Sequence, residues 1–446
     1  MKIALTSLAS YRESCLRIAR DNFAGLAISD VAAREEDYNA WPGLENLSPP
    51  KELIVLEERV NDALLDKART AVLDGRIFWE HTAAGEATRL KLGPKYLIHP
   101  HQIPYSRDYL AETFIDNPAA VSEGVPPSFL RLTPHHLLPL RLGARHLWQS
   151  VFEIRNLAKE AGLDPDEVMA RQKVLLIVNE QTCEQICKRI LKRNFLGFAP
   201  GNFLFLTQAT FHGLLPEGGW HFDESAPARL HNHGQMAMQK TMDHQVFHLD
   251  DSGQKHFLSR ADFFSLLGQT ADLVSYNIED LGYLTGALDF VTIGLALELG
   301  AQGYGMTMEI VANNPLNPIK GGLCAYDSGL GRDVVIESFR LRNMSPERIT
   351  HLNKNFNHYP NPGRIFQKLH EEGLFMPITV KDGALYFQPV QGDMNLLTRT
   401  AYITRRVPAP ISSWKSPEDT PAALEAMGRQ DSQPGFAKFI ESAIEG

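Results

Sequence analysis

A turn of small residues lies within residues 76–97. The run 76–82 is rich in β-forming residues, and the turn after it includes Ala84 and Gly85. Small side chains let backbone N–H groups approach an anion closely, and successive N–H groups of a turn form a concave phosphate seat. Three cations follow the turn within seven residues and would add positive charge: Arg89, Lys91 and Lys95. The pattern fits a nucleoside triphosphate loop and, equally well, an ordinary strand-to-helix turn with surface cations.

The same loop resembles a motif of a known enzyme family. The run 83–90, followed by residues 93–95, is similar to the signature of the eukaryotic-type UDP-sugar pyrophosphorylases (UTP–sugar-1-phosphate uridylyltransferases), a Gly-Gly-x-Gly-Thr-Arg-Leu type loop followed by Pro-Lys. Ala84 and Ala87 stand where that signature has glycine, which tightens the loop. The resemblance implies contacts to the nucleotide and its phosphates from five residues: Ala84, Gly85, Thr88, Arg89 and Lys95.

The composition is that of a soluble globular protein. The chain has 446 residues, 43% of them hydrophobic and 22% charged, which suggests about two or three domains. Its net charge is 44 − 53 = −9, which disfavours a nucleic-acid partner and means that a phosphate site must concentrate its cations locally. We expect neither a signal peptide nor a membrane span. The four scattered cysteines favour a reducing cytoplasm.

Apolar strands and helices alternate after the cation turn. Residues 174–178 form a continuous apolar run typical of a buried parallel strand, residues 183–191 have a helical pattern, and residues 203–206 form the next strand. This alternation predicts a doubly wound α/β sheet. The family resemblance implies the mostly parallel, Rossmann-like nucleotidyltransferase (GT-A type) form of that sheet.

Two amide side chains follow the predicted strands. Asn179 and Gln208 lie at carboxyl ends of strands, where ligands bind in such sheets. A glutamine amide donates and accepts hydrogen bonds at once, which suits a pyrimidine base. From the residues alone, a loop-capping role for Gln208 is favoured. The resembling family has a Gln in a Phe-x-Gln setting that faces the uracil, which implies that Gln208 binds the base.

A histidine-rich turn follows at residues 230–235. The turn precedes a predicted helix, residues 236–244, and N–H groups at a helix start can face an anion or a base. In the family this place reads Pro-(Pro/Gly)-Gly-His-Gly-Asp. His233 and Gly234 match it, and Gln235 replaces the Asp. The resemblance implies that His233 contacts the sugar phosphate and Gly234 the nucleotide.

A strand run at residues 271–278 ends in carboxylates. The run 277–282 resembles the family's Asn-Val-Asp-Asn-Leu-Gly, which implies that Asn277 contacts the nucleotide. Carboxylates at a strand end beside a triphosphate usually hold Mg²⁺. Either Glu279 or Asp280 could be the ligand, and an acidic turn without a metal is the alternative.

Later blocks resemble the family's sugar-binding segments. Residues 317–322 are similar to its Asp-x-Lys-Gly-Gly, and Glu337 falls where the family has a sugar-facing Glu. Asn357 remains from a Phe-Asn-Thr-Asn-Asn run, and residues 376–381 resemble the segment with the late catalytic Lys. Together with His233, the implied sugar-phosphate residues are Lys320, Glu337 and Asn357, and Lys381 is the implied catalytic lysine.

The resemblance spans about residues 74–400, in separated blocks that occur in the family's order. We expect an N-terminal helical extension (1–72), a nucleotidyltransferase core (73–350), and a short C-terminal part (351–446) that completes the sugar and phosphate site and ends in a helical tail. The six-residue repeat of a C-terminal β-helix is absent from the sequence.

The implied reaction condenses UTP with a hexose-1-phosphate, glucose-1-phosphate as the first expectation, to give a UDP-sugar and pyrophosphate with the help of Mg²⁺. Arg89 and Lys95 would bind the β- and γ-phosphates, and Lys381 would bridge the sugar phosphate and the α-phosphate. The alternatives are a nucleotide-sugar-binding protein that has lost catalysis, and a transferase that uses another nucleotide or an N-acetylhexosamine-1-phosphate.

Overall fold

The structure is a computed structural model. It describes residues 5–85, 90–100, 137–278, 281–284, 286–314, 321–342, 344–406, 414 and 417–445. Of the predicted site residues, five lie outside these ranges: Thr88, Arg89, Glu279, Asp280 and Lys320.

The α-helices of the described ranges are α1 (Leu8–Phe23), α2 (Ile28–Asn39), α3 (Asp62–Leu73), α4 (Leu142–Glu160), α5 (Pro165–Arg171), α6 (Glu180–Lys192), α7 (Asn232–Gln239), α8 (Arg260–Gly268), α9 (Phe290–Ala301), α10 (Pro362–Glu372), α11 (Thr420–Asp431) and α12 (Phe436–Glu445). No helix within the described ranges is long and apolar enough to cross a membrane.

The strands of the described ranges are β1 (Leu47–Ser48), β2 (Leu53–Val55), β3 (Ile77–Thr82), β4 (Lys173–Asn179), β5 (Phe203–Gln208), β6 (Thr210–Phe211), β7 (Leu214–Leu215), β8 (His221–Phe222), β9 (Arg229–Leu230), β10 (Val246–Leu249), β11 (Lys255–Phe257), β12 (Asp272–Asn277), β13 (Met306–Ala312), β14 (Leu323–Asp327), β15 (Arg332–Ile336), β16 (His351–Pro360), β17 (Ile378–Lys381), β18 (Ala384–Phe387) and β19 (Thr400–Thr404).

One mixed sheet forms the centre of the molecule. Its strand order is β11-β10-β5-β4-β3-β12-β16-β13-β19-β2, and β14 joins it beside β16 together with β1 and β15. Strands β5, β4, β3 and β12 are parallel to one another, whereas β10 and β16 run antiparallel to their neighbours. The doubly wound, mostly parallel α/β fold predicted from the sequence is therefore confirmed. Segment 1–72, predicted to be helical, contains α1–α3 and also supplies β1 and β2 to this sheet.

Helices cover both faces of the sheet because the central strands are apolar on both sides. On β3, Ile77 and Trp79 pack against α4, α6 and α12, whereas Phe78 faces the opposite core with α1, α7, α8 and α10. Each large apolar side chain buried in this way contributes about 1.5–3 kcal/mol. A second, four-stranded sheet in the order β17-β18-β7-β8 packs beside the main sheet.

Helix α6 begins in a way that the sequence did not predict. The Asn179 side chain caps it, because Asn179 Oδ1 accepts a hydrogen bond of 2.9 Å from the Thr182 backbone N–H. An Asn in this position satisfies one of the free N–H groups of the first turn. The last residue of β4 therefore also fixes the start of α6.

A charged pair lies buried between β3 and the C-terminal end of α7. The Glu80 and Lys240 side chains are both fully buried, and Lys240 Nζ donates to the Glu80 carboxylate. Ser275 Oγ on β12 donates to the other carboxylate oxygen over 2.8 Å. Burial lowers the pKa of Lys240, and the neighbouring Glu80 carboxylate opposes that effect. Such a pair is costly to break because the remaining charge has no counter-ion.

We predict that Lys240→Met lowers the free energy of unfolding by about 3–5 kcal/mol, because Glu80 is then buried without a partner. Urea denaturation measures this. Lys188→Met, which removes an exposed partner of Glu184 on α6, is the matched control and should change stability little. A double variant, Glu80→Leu with Lys240→Met, should recover part of the loss. Wild-type stability of Lys240→Met alone would contradict the structural role of the pair.

Candidate active site

The carboxyl ends of β3, β4, β5 and β12 meet at one edge of the main sheet. The register pairs Thr82 with Asn277 across β3 and β12, and Asn179 with Gln208 across β4 and β5. A cavity of about 290 Å³, here the edge cavity, opens there. It is lined by Thr82, Ala84, Gly85, Lys95, Gln208, Leu230, Asn232, His233, Met236, Asn277 and Ile278. The predicted site residues among them are Ala84, Gly85, Lys95, Gln208, His233 and Asn277.

The loop after β3 is held by backbone groups and by Asn179. The Ala83 N–H donates to the Ile177 carbonyl over 2.7 Å, and Asn179 Nδ2 donates to the Ala84 carbonyl over 3.0 Å. Among the described residues, none lies within 4 Å of a Cβ atom added to Gly85, so these residues leave the backbone open at this point. Lys95 is 7% exposed and returns to the loop through its own N–H, which donates to the Gly85 carbonyl. The loop thus joins an open backbone to a nearly buried cation.

A chain of glutamine amides fixes the orientation of Gln208. Gln235 accepts from the His231 N–H through Oε1 (2.8 Å) and donates to the Ala209 carbonyl through Nε2 (2.8 Å). Because a backbone N–H must donate and a carbonyl must accept, this amide can point only one way. Gln208 Nε2 donates to Gln235 Oε1 (3.2 Å) and to the Asn232 carbonyl (2.9 Å). Both Gln208 amide hydrogens are therefore in use.

The start of α7 closes one wall of the edge cavity. A Cβ atom on Gly234 would lie 2.3–2.5 Å from backbone atoms of Pro389 and Val390, and the Gly234 N–H donates to the Pro389 carbonyl over 2.9 Å. Glycine is required by this close approach, which joins α7 to the segment after β18. Gly234 therefore positions the wall, while its own N–H is already bonded within the protein.

Helix α1 supports the same turn from behind. His231, fully buried, lies with Nδ1 3.0 Å from the Tyr11 hydroxyl, and its ring packs against Phe211. Burial lowers the pKa of His231 to about 3, so the imidazole is neutral. With so low a pKa the imidazole binds a proton too weakly to act as a base near neutral pH, so His231 is a packing group.

A smaller cavity of about 20 Å³ continues the edge cavity toward β16. The two cavities share Thr82, His233, Met236 and Asn277, and the smaller one adds Ser275, Tyr276, Asn357, Gln391 and Gly392. Asn357 Oδ1 is buried and has no hydrogen-bond partner among the described residues. A polar atom left in this state is available to a ligand.

Glu337 lies behind this smaller cavity. A Cβ atom on Gly392 would be 3.8 Å from Glu337 Oε1, and one on Gly322 would be 3.4 Å from it. The structure therefore brings Glu337 to the same corner as Asn357, through glycines that leave room beside the carboxylate.

Lys381 lies apart from this cluster. It is exposed at the end of β17 and lines a separate cavity of about 700 Å³. That cavity shares only Leu230 and Asn232 with the edge cavity. Arg229 lines it as well and pairs with Asp382. Lys381 is thus adjacent to the predicted nucleotide residues but on the other side of the 230–232 turn.

The groups at the end of β12 are consistent with a magnesium site. Within the described ranges, no three His, Cys, Asp or Glu side chains converge where a metal ion could bind. The predicted ligands Glu279 and Asp280 directly follow this part of the chain. The described donors here are the oxygens of Thr82, Asn277 and Asn357, and oxygen is the donor that Mg²⁺ prefers. The described residues at this place thus supply oxygen atoms of the kind that Mg²⁺ takes.

Sequence reasoning missed several residues of the site. Gln391 Nε2 donates to the Tyr359 hydroxyl over 2.9 Å and lies 3.4 Å from Ser275 Oγ. Asn353 Nδ2 would lie 3.9 Å from a Cβ atom on Gly392. One local signal was present for Asn353, because residues two and four apart on a strand lie on one face, and Asn353 precedes Asn357 by four.

This arrangement first defines a class. A mostly parallel sheet with a cavity at the carboxyl ends of its strands belongs to the doubly wound α/β proteins, which bind ligands at that edge.

Comparison with known proteins narrows the class. No protein-family model and no curated protein matches the sequence. A UDP-N-acetylglucosamine pyrophosphorylase from Trypanosoma brucei, solved with an inhibitor, is 13% identical with a TM-score of 0.60, over 94% of this chain and 79% of that one. A variant UDP-glucose pyrophosphorylase from Leishmania major, solved with UDP-glucose, is 11% identical with a TM-score of 0.56, over the same shares. The predicted resemblance is confirmed at the level of the fold: this chain has the fold of UDP-sugar pyrophosphorylases.

We predict that Gly234→Ala lowers the free energy of unfolding by about 1–3 kcal/mol, because the methyl group overlaps the Pro389 backbone and forces α7 away from it. Thermal and urea unfolding measure the change. Gly201→Ala, just before β5, is the control, since its Cβ atom would meet nothing within 4 Å. Equal losses in the two variants would show that the Gly234 contact is not tight.

Proposed function

We propose that the protein is a UTP–sugar-1-phosphate uridylyltransferase. It would condense UTP with a hexose-1-phosphate, glucose-1-phosphate as the first candidate, to a UDP-sugar and pyrophosphate. The observation that carries the proposal is that the edge cavity, lined by Gly85, Lys95 and Gln208, shares four lining residues with the smaller cavity that Asn357 lines. Proteins of this fold include enzymes solved with UDP-glucose. We assign the Gln208 side of these cavities to the base, the loop around Gly85 to the phosphates and the Asn357 side to the sugar.

The base end favours a pyrimidine with a ring N–H. Both Gln208 amide hydrogens are bonded within the protein, so Oε1 is the atom that a base can use. Oε1 accepts no hydrogen bond within the described part of the chain. A base that binds to it must therefore supply an N–H donor. Uracil carries an N–H at ring position 3, whereas cytosine has a lone pair there. A pyrimidine placed with position 3 against Gln208 therefore carries an N–H there, as uracil does and cytosine does not.

The phosphate end combines open backbone with local positive charge. Lys95 lines the cavity beside Gly85, and Arg89 belongs to the same loop in sequence. In a protein of net charge −9, two cations in one loop would concentrate the charge that a triphosphate needs. Thr88 and Ala84 would complete the loop around the phosphates.

The sugar end is polar. Asn357 Oδ1 is buried and unpartnered within the described ranges, and Glu337 lies beside Gly392. Together with His233, these groups could accept from sugar hydroxyls and position the sugar phosphate. Lys320 would approach from the segment before Gly321.

The reaction needs positioning and charge neutralisation, because an oxygen of the sugar phosphate is itself the nucleophile. Mg²⁺, held by Glu279 or Asp280, would neutralise phosphate charge when bound. Lys95 and Arg89 would hold the β- and γ-phosphates in line. To contact the reacting phosphates, Lys381 would have to extend across residues 230–232. Its four-carbon side chain allows this only if the phosphates extend past Asn232.

A second candidate is a nucleotide-sugar-binding protein without catalysis. The position of Lys381 in a separate cavity favours it, as do Ala84 and Ala87 in the loop. A transferase for another nucleotide, or for an N-acetylhexosamine-1-phosphate, is a further alternative. Pyrophosphate release from each nucleoside triphosphate with a panel of sugar-1-phosphates separates them. Stabilisation by UTP without turnover would favour the binding protein.

We predict that UTP binds about ten- to a hundredfold more tightly than CTP or N3-methyl-UTP, because both analogues lack the N–H that Gln208 Oε1 accepts. The three ligands carry the same triphosphate, so phosphate contacts cancel in the comparison. Calorimetry or ligand-dependent melting measures the difference. Equal affinities would overturn the assignment of Gln208 to the base.

We predict that Arg89→Ala and Lys381→Ala each lower kcat by about 10²–10³-fold, because each removes a charge that the transition state uses. Steady-state assays of pyrophosphate release measure this. Lys159→Ala, an exposed lysine near the end of α4, is the control and should keep wild-type rates. Unchanged turnover in Lys381→Ala alone would remove the bridging role and leave the loop cations as the main contributors.

A further inference from the structure

Two cysteines on α6, the helix that Asn179 caps, face each other. Cys183 and Cys187 lie one helical turn apart, with their sulfur atoms 3.9 Å apart, and they are 4% and 6% exposed. The proposed reaction uses neither of them. Their position in the first turns of α6 places them directly behind the loop that Asn179 holds.

Three donors converge on one of the two sulfur atoms. Thr207 Oγ1 lies 3.2 Å from Cys183 Sγ, Lys255 Nζ 3.6 Å and Cys187 Sγ 3.9 Å. A sulfur surrounded by a hydroxyl, an ammonium group and a thiol near a helix N-terminus is set up to be a thiolate. The hydrogen bond from Cys187, followed by that from Thr207 and the charge of Lys255, lowers the pKa of Cys183 to about 6. The hydrogen bond to Cys183 and burial raise the pKa of Cys187.

The other two cysteines have the opposite environment. Cys15 and Cys324 are fully buried, and burial raises the pKa of each thiol. At neutral pH they remain protonated and unreactive. Thiol chemistry in this protein is therefore directed to Cys183.

We propose that Cys183 and Cys187 form an oxidation-sensitive pair, in which a hydroperoxide oxidises Cys183 and Cys187 then closes a disulfide. In the first step the Cys183 sulfur attacks a peroxide oxygen, an S–O bond forms, the O–O bond breaks and hydroxide leaves. In the second step the Cys187 sulfur attacks Cys183, an S–S bond forms, the S–O bond breaks and water leaves with the Cys187 proton. Two thiols lose two electrons, and one hydrogen peroxide becomes two waters.

The helix geometry permits this bond at a cost. Side chains four residues apart on a helix are neighbours, with Cβ atoms about 5–6 Å apart. A disulfide needs Cβ atoms about 3.5–4.5 Å apart and sulfurs about 2.05 Å apart, so the first turns of α6 must distort. A strained disulfide is easily reduced, so the modification is reversible by a dithiol.

We expect the distortion to reach two parts of the edge cavity, the loop after β3 and Gln208. Asn179, which caps α6, donates to the Ala84 carbonyl of the phosphate loop. Thr207, which donates to Cys183, precedes Gln208 on β5. Oxidation therefore weakens the support of the phosphate loop and of the base contact together. This consequence for UTP rests on the function proposed above, whereas the thiol chemistry does not.

Peptide mass spectrometry tests the chemistry without any assay of turnover. The full-length protein is treated with hydrogen peroxide near neutral pH, denatured, and alkylated with iodoacetamide. We expect the peptide with Cys183 and Cys187 to lose two hydrogens and to resist alkylation until dithiothreitol is added. Cys15 and Cys324 should be alkylated by iodoacetamide without dithiothreitol. Cys187→Ser should stop at a sulfenic acid on Cys183 that dimedone traps. Equal oxidation of all four cysteines, or none at Cys183, would overturn the proposal.

The role of Lys255 provides a matched comparison. Lys255→Ala should raise the apparent pKa of Cys183 alkylation from about 6 and slow its oxidation at neutral pH. Lys188→Ala, an exposed lysine on the same helix, should change neither. If both variants behave like wild type, the convergence of donors on Cys183 does not control its reactivity, and the proposal fails.

A second experiment compares the affinity of the protein for UTP before and after oxidation. We expect the oxidised wild-type protein to bind UTP about tenfold more weakly, and dithiothreitol to restore the affinity. Cys187→Ser should bind UTP normally when reduced. If the disulfide forms but UTP binding is unchanged, the coupling to the cavity is wrong. If reduced wild-type protein does not bind UTP at all, the proposed function fails and the thiol result stands separately.

Discussion

The carboxylate of Glu80 is the buried charge on which the cavity depends. Lys240 of α7 donates to one of its oxygens and Ser275 of β12 to the other, and Ser275 lies 3.4 Å from Gln391. These groups come from β3, α7, β12 and the turn after β18, which together enclose the cavity. An unpaired charge in this position would cost several kcal/mol, so the four elements are held in one relative arrangement.

Gln208 in the edge cavity and Lys381 in the neighbouring cavity differ in how firmly the protein holds them. Backbone groups orient Gln208 through Gln235, and Gly234 lies against the Pro389 backbone. This side of the edge cavity therefore has a fixed arrangement without a ligand. Lys381 lies exposed on a hairpin strand of the second sheet and has no comparable support. Gln208 is therefore held by the buried part of the protein, whereas Lys381 is an exposed side chain.

Two residues next to the edge cavity, Asn179 and Thr207, also lie next to Cys183 or hold its helix. Asn179 caps α6 and holds the phosphate loop, and Cys183 lies in the next turn with its sulfur bonded to Thr207. Asn179 and Thr207 therefore connect the region around the Cys183 sulfur to the loop after β3 and to the end of β5. The likeness to solved pyrophosphorylases, at 11–13% identity, concerns the fold, and these couplings are features of this chain's own residues.

The sequence alone determined the elements with local signals. The apolar runs of β4 and β5 predicted parallel strands, and their ends predicted that Gln208 would lie at the ligand edge. The small residues around Gly85 predicted a turn whose backbone N–H groups an anion can approach closely. The tertiary structure alone decided that Gln235 orients Gln208, that Glu337 meets Gly392, and that Glu80 pairs with a lysine 160 residues later. Periodicity and turn chemistry reflect neighbours along the chain, whereas these contacts join residues that only packing brings together.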